Sequence, residues 1–141
     1  MDAAGLEAAY DAIARARIEA APTDSMRAAY RLLVGRVGWA VAAVCRRRLS
    51  LTLNGRRFAA LAARGAPRPL LLVSAHPQRL AEFAAPETPL AVPYGAAPAL
   101  PAAPGGRALE DAYDAAKQLL DKLANYQIDP DAVAARLEGA P

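Results

Sequence analysis

Residues 32–45 read LLVGRVGWAVAAVC, and this most apolar run of the chain is the stretch that decides the fold. Across residues 26–48 the apolar side chains recur at steps of three and four, which predicts one long helix. Its second half is apolar all round, so it should be the central buried helix. A bilayer span needs about 20 apolar residues. This run is interrupted by Arg36 and stops at Arg46, so we expect no membrane-spanning helix.

The composition indicates one domain with a thin core. The chain has 141 residues, of which 55 % are hydrophobic but only 6 % aromatic. Much of the hydrophobic fraction is alanine, which buries little area per residue. We therefore expect helices that pack closely on small side chains. Gly35 and Gly38 should leave room for another backbone to approach the central helix.

Further helices are predicted on both sides of this run. Residues 3–20 have helical spacing and end at Ala21-Pro22, after which residues 23–25 offer N-caps for the central helix. A C-terminal helix begins after Arg107, and Asp129-Pro130 starts the last one. The predicted fold class is mostly α with a small β element, either α+β or a small α/β unit. In it, amphipathic helices surround the central apolar helix.

The β element should come from the segment between residues 49 and 92. Residues 49–53, LSLTL, alternate as a strand does, and residues 69–74 and 89–92 predict two further strands, with a short helix from Pro77 between them. Asn54-Gly55 allows two continuations. It makes a hairpin turn into a second strand, or Asn54 caps a short helix over residues 56–64 that Gly65 ends. The alanine content favours the helix.

A proline-rich segment covers residues 85–106 and holds six of the chain's 12 prolines. Prolines at this density favour extended polyproline II over helix or central strand. The predicted organisation is a compact helical domain with short strands at 1–84, an extended arm at 85–106 and a C-terminal helical pair at 107–141. The arm should bind a partner chain through Pro86, Pro89, Pro93, Tyr94, Pro98, Pro101 and Pro104.

Charge is segregated along the sequence, although the formal net charge is only +3. Residues 25–81 hold eleven arginines and no Asp or Glu, whereas residues 1–24 and 82–141 are both net acidic. Three explanations remain open at this point. The acidic ends neutralise the middle within one fold, they neutralise the middle of a neighbouring copy, or the middle faces a polyanion.

Seven of these arginines lie between Cys45 and Leu72, and they are the candidate contacts for nucleic-acid phosphates. Three of them should lie at the C-terminal end of the central helix, where the helix dipole favours cations. No RNA-recognition, KH or zinc-finger pattern accompanies them. The full set is Arg46, Arg47, Arg48, Arg56, Arg57, Arg64 and Arg68.

No catalytic or metal-binding motif is complete. Residues 73–77, VSAHP, are similar to the AHPDD signature of zinc-dependent N-deacetylases, but Gln78 and Arg79 stand where that signature has acidic residues. His76 is the only histidine and Cys45 the only cysteine, so neither a His/Cys metal site nor an internal disulfide can form. No phosphate-binding glycine loop is present, and no cofactor is predicted.

These observations favour a non-enzymatic assembly subunit of a larger oligomeric complex. Its basic centre and proline-rich arm would contact other chains, by self-association or within a larger assembly, and a virion connector or neck component is one class that suits them. A polyanion-binding module is the alternative, with nucleic acid as the partner, and a small enzyme using His76 comes third. The expected location is the cytoplasm, or a particle assembled from it.

Overall fold

The structure is a computed structural model, and it describes residues 1–92 and 106–139. Most of these residues are helical and two short strands complete the fold, which confirms the predicted class of mostly α with a small β element. The helices are α1 (Ala3–Ala20), α2 (Asp24–Arg31), α3 (Val37–Leu53), α4 (Arg56–Ala63), α5 (Ala108–Asp111), α6 (Tyr113–Asn125) and α7 (Pro130–Glu138). The strands are β1 (Val73–Ser74) and β2 (Leu90–Ala91), with a 3₁₀ helix at Pro77–Phe83 between them.

The two strands pair in parallel, with Val73 opposite Leu90 and Ser74 opposite Ala91. The strand predicted over residues 69–74 was too long, because only its last two residues join the sheet. Pro69 lies in the unpaired part and has no N–H to give to a ladder. The predicted third strand over residues 89–92 is confirmed at its two central positions.

The strand predicted at residues 49–53 was wrong. These residues continue α3 as far as Leu53, and the hydroxyl of Thr52 donates to the carbonyl oxygen of Arg48 at 3.0 Å. Once a helix has nucleated, each further residue adds a hydrogen bond at small entropic cost. No Gly or Pro occurs between Gly38 and Gly55, so the helix continues through the short alternating pattern.

The single helix predicted over residues 26–48 was also wrong. It is broken between α2 and α3 by a turn in which Gly35 has a φ of +67°. That left-handed conformation suits glycine, which has no Cβ to clash. The turn is held from α1, because Asp11 Oδ1 accepts a hydrogen bond from the Gly35 N–H at 2.7 Å.

The close approach predicted at the glycines occurs at Gly38. A Cβ built there would lie 2.1 Å from the carbonyl oxygen of Ala3, far inside van der Waals contact. The first turn of α1 therefore lies directly on the first turn of α3. No backbone of the described chain lies this close to Gly35, whose role is the left-handed conformation of the turn.

The core forms two clusters that share the half-buried Leu119 and Leu120. One cluster joins the middle of α3 to β1, the 3₁₀ helix and α5, with Phe83 and Leu109 as its large buried side chains. The other joins α1, the α2–α3 turn, α6 and α7 around Leu33 and Leu123. Ten of the 22 buried hydrophobic residues of the described chain are alanine, which agrees with the thin core expected from the composition.

The C-terminal helices begin and end largely where local signals place them. Asp129 is the N-cap of α7, its Oδ1 accepting from the Asp131 N–H at 3.0 Å, and Pro130 follows at the first helical position. The helix predicted after Arg107 is interrupted at Ala112, which separates α5 from α6. Both of these helices pack against α3.

Candidate interaction surface

Helix α4 is the least buried helix of the described chain. None of its residues is buried, and Phe58 is its only half-buried side chain. Its end is well formed, because the Gly65 N–H donates to Ala62 O at 2.9 Å and the Ala66 N–H to Leu61 O at 3.1 Å. Gly65 has a φ of +86°, so the pair is a Schellman motif. The predicted helix over residues 56–64 is confirmed, and the hairpin alternative was wrong.

Asn54 does not cap α4, contrary to the sequence-based expectation. It is the C-cap residue of α3, and Gly55 takes the N-cap position of α4 without a side-chain acceptor. Arg56 and Arg57 occupy the first turn of α4, where the helix dipole disfavours cations. The start of α4 therefore has neither a capping side chain nor an acidic one.

Four leucines that lie in α4 or near it in the sequence are exposed. Leu51, Leu61, Leu70 and Leu72 have 45–59 % of their surface exposed, which is unusual for four large apolar side chains within 22 residues. Exposure alternates after α4, since Leu70 and Leu72 are exposed whereas Leu71 packs against the core. Alternation of this kind places Leu70 and Leu72 on the same side of the segment.

Arg46 is the one candidate arginine that faces inward. Its side chain is only 7 % exposed, and its Nη2 donates to Glu110 Oε1 at 2.8 Å and to Pro86 O at 3.0 Å. Its Nε is buried and has no hydrogen-bond partner in the described part of the chain. Arg46–Arg48 were expected at a helix end, but α3 continues past them. Arg46 thus acts as a structural tie between α3, the segment before β2, and α5.

Two more candidate arginines are engaged at the surface. Arg68 donates through Nε at 3.2 Å and Nη2 at 3.0 Å to the same carboxylate oxygen of Glu87. The guanidinium of Arg47 lies over the ring of Tyr113, 5.8 Å from its centroid, in a cation–π contact. Arg47 remains exposed in this position, and no hydrogen bond from its guanidinium is found within the described residues.

The remaining four candidates, Arg48, Arg56, Arg57 and Arg64, are exposed. Among residues 1–92 and 106–139, none of the four forms an ion pair. We call the exposed side chains of this region the arginine–leucine surface: Arg47, Arg48, Leu51, Arg56, Arg57, Leu61, Arg64, Leu70 and Leu72.

Arginines and leucines share faces on this surface. Arg57, Leu61 and Arg64 follow helical steps of four and three along α4 and its C-cap, so they lie on one face. On α3, Leu51 is likewise one turn from Arg47 and from Arg48. Leu61 therefore lies between two arginines, whereas Leu51 has two arginines one turn before it.

Several acidic residues of the two ends neutralise the basic middle inside the fold. Glu110 pairs with Arg46, Glu87 with Arg68, Glu7 with Arg79, and Asp24 with Arg27. The first of the three explanations for the charge pattern thus holds for four arginines. It does not extend to the arginine–leucine surface, where ion pairs are absent from the described residues.

Glu7 is a buried acid that the sequence pattern did not single out. Its side chain is 5 % exposed, and its carboxylate accepts from Arg79 Nη1 at 2.7 Å and from the Trp39 N–H at 3.2 Å. Burial raises the pKa of Glu7 above its usual value, although Arg79 opposes this. Trp39 lies in the first turn of α3, so Glu7 supplies the cap acceptor that Arg36 does not. Its position between Leu6 and Tyr10 on α1 was the only available signal.

His76 lies at an open depression with no catalytic arrangement around it. The imidazole is exposed, and in the described structure no carboxylate is hydrogen-bonded to it. Glu7 and Asp11 line the same depression, but their oxygens accept from Arg79 and from the Gly35 N–H. In the same part of the chain, no group of three or more His, Cys, Asp or Glu side chains could hold a metal ion.

Only the beginning of the predicted arm is described. Pro86 and Pro89 are exposed, and their carbonyl oxygens accept hydrogen bonds from Arg46 and from the Val73 N–H. The arm thus starts as a segment tied to the body by its backbone. The other candidate contacts lie outside the described residues: Pro93, Tyr94, Pro98, Pro101 and Pro104.

Comparison with known proteins gives no family for this chain. No protein-family model matches it, and no match is found among curated proteins or solved structures. Across the described ranges, 1–92 and 106–139, no helix is both long and apolar enough to cross a membrane. The chemistry of the arginine–leucine surface is therefore the basis for assigning a function.

Proposed function

We propose that this protein is a non-enzymatic assembly subunit that joins a larger oligomeric complex through the arginine–leucine surface. The observation that carries the proposal is that α4 buries none of its residues. An isolated helix of eight residues is unstable in water, because nucleation costs more than so few hydrogen bonds return. A binding partner that covers α4 would supply the missing apolar contacts. A virion connector or neck subunit is one such role.

The proline-rich arm is the second contact in this proposal. Its anchor at Pro86 and Pro89 holds it against the body, beside Arg46 and β1. We infer that the residues beyond Val92 extend the interface to a neighbouring chain. The non-enzymatic assignment is supported by the exposed His76, which has no carboxylate to orient its imidazole within the described structure.

Size-exclusion chromatography with light scattering, run over a dilution series, tests the assembly role. We expect concentration-dependent multimers, or a monomer in which α4 exchanges its amide hydrogens at nearly the rate of an unfolded peptide. A monomer with a fully protected α4 at every concentration would contradict the proposal. The protected amides of α3 in the same sample serve as the internal reference.

Binding of a polyanion is the second candidate function. It is favoured by four exposed arginines, Arg48, Arg56, Arg57 and Arg64, that form no ion pair within the described residues. With Arg47, they would contact phosphates without reading base sequence. Affinity for duplex DNA should then fall steeply with added salt, and the salt slope should decrease in an Arg57→Gln/Arg64→Gln variant. Absence of binding at low salt would eliminate this candidate.

A further inference from the structure

We propose that the arginine–leucine surface docks on an anionic lipid surface, with its leucines in the interfacial layer and its arginines on lipid phosphates. The inference rests on the proposed attachment through α4 and replaces the protein partner at this face by lipid, which leaves the proline-rich arm as the contact to other chains. The proposed contact is peripheral, because it uses only side chains at the surface.

The leucines supply the apolar part of the contact. All four are about half exposed, and they come from three pieces of chain: the end of α3, α4, and the segment before β1. A protein partner binds most tightly through a compact cluster of fully buried anchors in shaped pockets. A lipid interface has no fixed shape and accepts apolar side chains wherever they protrude. Separate protruding leucines therefore favour lipid.

The arginines supply the charge complementarity. Arg57 and Arg64 flank Leu61, and Arg47 and Arg48 lie one turn before Leu51, so cations lie beside the leucines of α3 and α4. No Asp or Glu occurs in residues 25–81, although Glu110 and Asp111 of α5 line a pocket beside Arg47. Guanidinium groups bind phosphate oxygens through two parallel hydrogen bonds. Basic side chains with apolar residues between them are typical of helices that lie in the membrane interface.

The start of α4 agrees with an anionic partner. Arg56 and Arg57 lie in its first turn, where the helix dipole repels cations, and no acidic side chain offsets them. Phosphates beside these two arginines would remove that penalty. A nucleic acid would also supply phosphates, but it would leave Leu51 and Leu61 in water. The leucines thus favour lipid over nucleic acid.

Vesicle flotation with the full-length chain tests the proposal. We expect binding to phosphatidylcholine vesicles that contain phosphatidylglycerol, and little binding to phosphatidylcholine alone. Leu51→Ser/Leu61→Ser should weaken binding by about tenfold or more. Arg57→Gln/Arg64→Gln should weaken it by about fivefold per arginine at low salt. The controls are Leu137→Ser, whose leucine is exposed on α7, and Arg15→Gln/Arg136→Gln, and both should bind as the wild type does.

Three outcomes would overturn the lipid assignment. The first is equal binding to neutral and anionic vesicles, and the second is anionic binding that the leucine substitutions leave unchanged. The third is no vesicle binding, together with multimers that Leu51→Ser/Leu61→Ser dissolves, which would identify a protein partner and leave the assembly role standing. Circular dichroism of each variant shows whether the fold is intact. If Leu61→Ser lowers helicity, Leu61→Gln tests the same position with less loss of helix propensity.

Discussion

Glu7 lies on the face of α1 that turns toward the core, between the half-buried Leu6 and the buried Tyr10. Burying a lone carboxylate there would cost free energy, but Arg79 and the Trp39 N–H donate hydrogen bonds to its oxygens. Arg79 is 72 residues away in sequence, so no local pattern predicts the pair. Arg46, which lies further along α3 than Trp39, forms a second buried ion pair of this kind with Glu110, 64 residues away. For single residues, the sequence shows which side chains are charged, but only the fold shows which of them are buried.

Glu7→Gln should change how stability depends on pH. Burial raises the pKa of Glu7, so the native state binds its proton more tightly than the unfolded chain does. The stabilisation from that proton is complete below the unfolded pKa and is lost as pH rises through the raised native pKa. The stability of the wild type relative to Glu7→Gln should therefore decrease from about pH 4 to about pH 7, measured by urea unfolding.

Glu82→Gln is the matched control and should give the opposite sign. A hydrogen bond from Arg79 lowers the pKa of Glu82, so its stabilisation is present above the unfolded pKa. It is lost as pH falls through the lowered native pKa. The stability of the wild type relative to Glu82→Gln should therefore increase over the same pH series. Parallel pH dependence in both variants would contradict the assignment of Glu7 as the buried partner.

Arg46→Ala should destabilise the protein by about 2 kcal/mol, since Pro86 O and the α3–α5 junction lose their donor. Glu110 keeps Arg107 as a partner at 2.8 Å, which limits the loss. Arg46→Met should cost less, because its side chain still fills the site. Arg48→Ala, on the exposed face of the same helix, is the control and should change the unfolding free energy by less than about 0.5 kcal/mol. Equal stability of all three variants would refute the structural role of Arg46.

Helices α1 and α7 have their start and stop signals within their own sequence, at Ala21-Pro22 and at Asp129-Pro130. Local signals of this kind made them predictable. The break between α2 and α3 has its cause elsewhere, in the Asp11 carboxylate of α1 that binds the Gly35 N–H. The strand prediction for residues 49–53 was wrong because five alternating residues do not end a helix that has already formed. Elements are predictable to the extent that their ends are encoded locally.

Gly38→Ala tests the contact between the first turns of α1 and α3. The new methyl group would lie 2.1 Å from Ala3 O, so one helix must shift, at a cost of roughly 1–3 kcal/mol. Thermal and urea unfolding would measure it. Gly139→Ala is the control, because its Cβ would lie 3.2 Å from Ala135 O at a helix end that can adjust. A neutral Gly38→Ala would mean that α1 and α3 are further apart than described.

The described molecule is held together by α3, which contacts α1 on one side and α5 and α6 on the other. Leu109 of α5 is fully buried beside Phe83, and its N–H donates to Ala84 O at 3.0 Å. The C-terminal helices thus complete the core that α3 begins. The arginine–leucine surface begins on the last turns of α3 and lies outside both core clusters. Its existence was predictable from the arginines, whereas the exposure of its leucines was not.

Leu109→Ala should destabilise the whole fold by about 2–5 kcal/mol, because it opens a cavity between α3, α5 and the 3₁₀ helix. Leu137→Ala is the control, since that side chain is 39 % exposed, and it should have little effect. Unfolding followed by tryptophan fluorescence, which reports Trp39 on α3, should shift together with circular dichroism. If the two signals separate in Leu109→Ala, the C-terminal helices unfold independently of α3.

The guanidinium of Arg46 joins positions that are 40 and 64 residues apart along the chain. Contacts across such long separations require large loops to close, so they form late during folding. Arg46 should therefore lower the unfolding rate and leave the folding rate nearly unchanged. Stopped-flow kinetics of Arg46→Met should show faster unfolding with a nearly unchanged folding rate. A slower folding limb would mean that this tie already exists in the transition state.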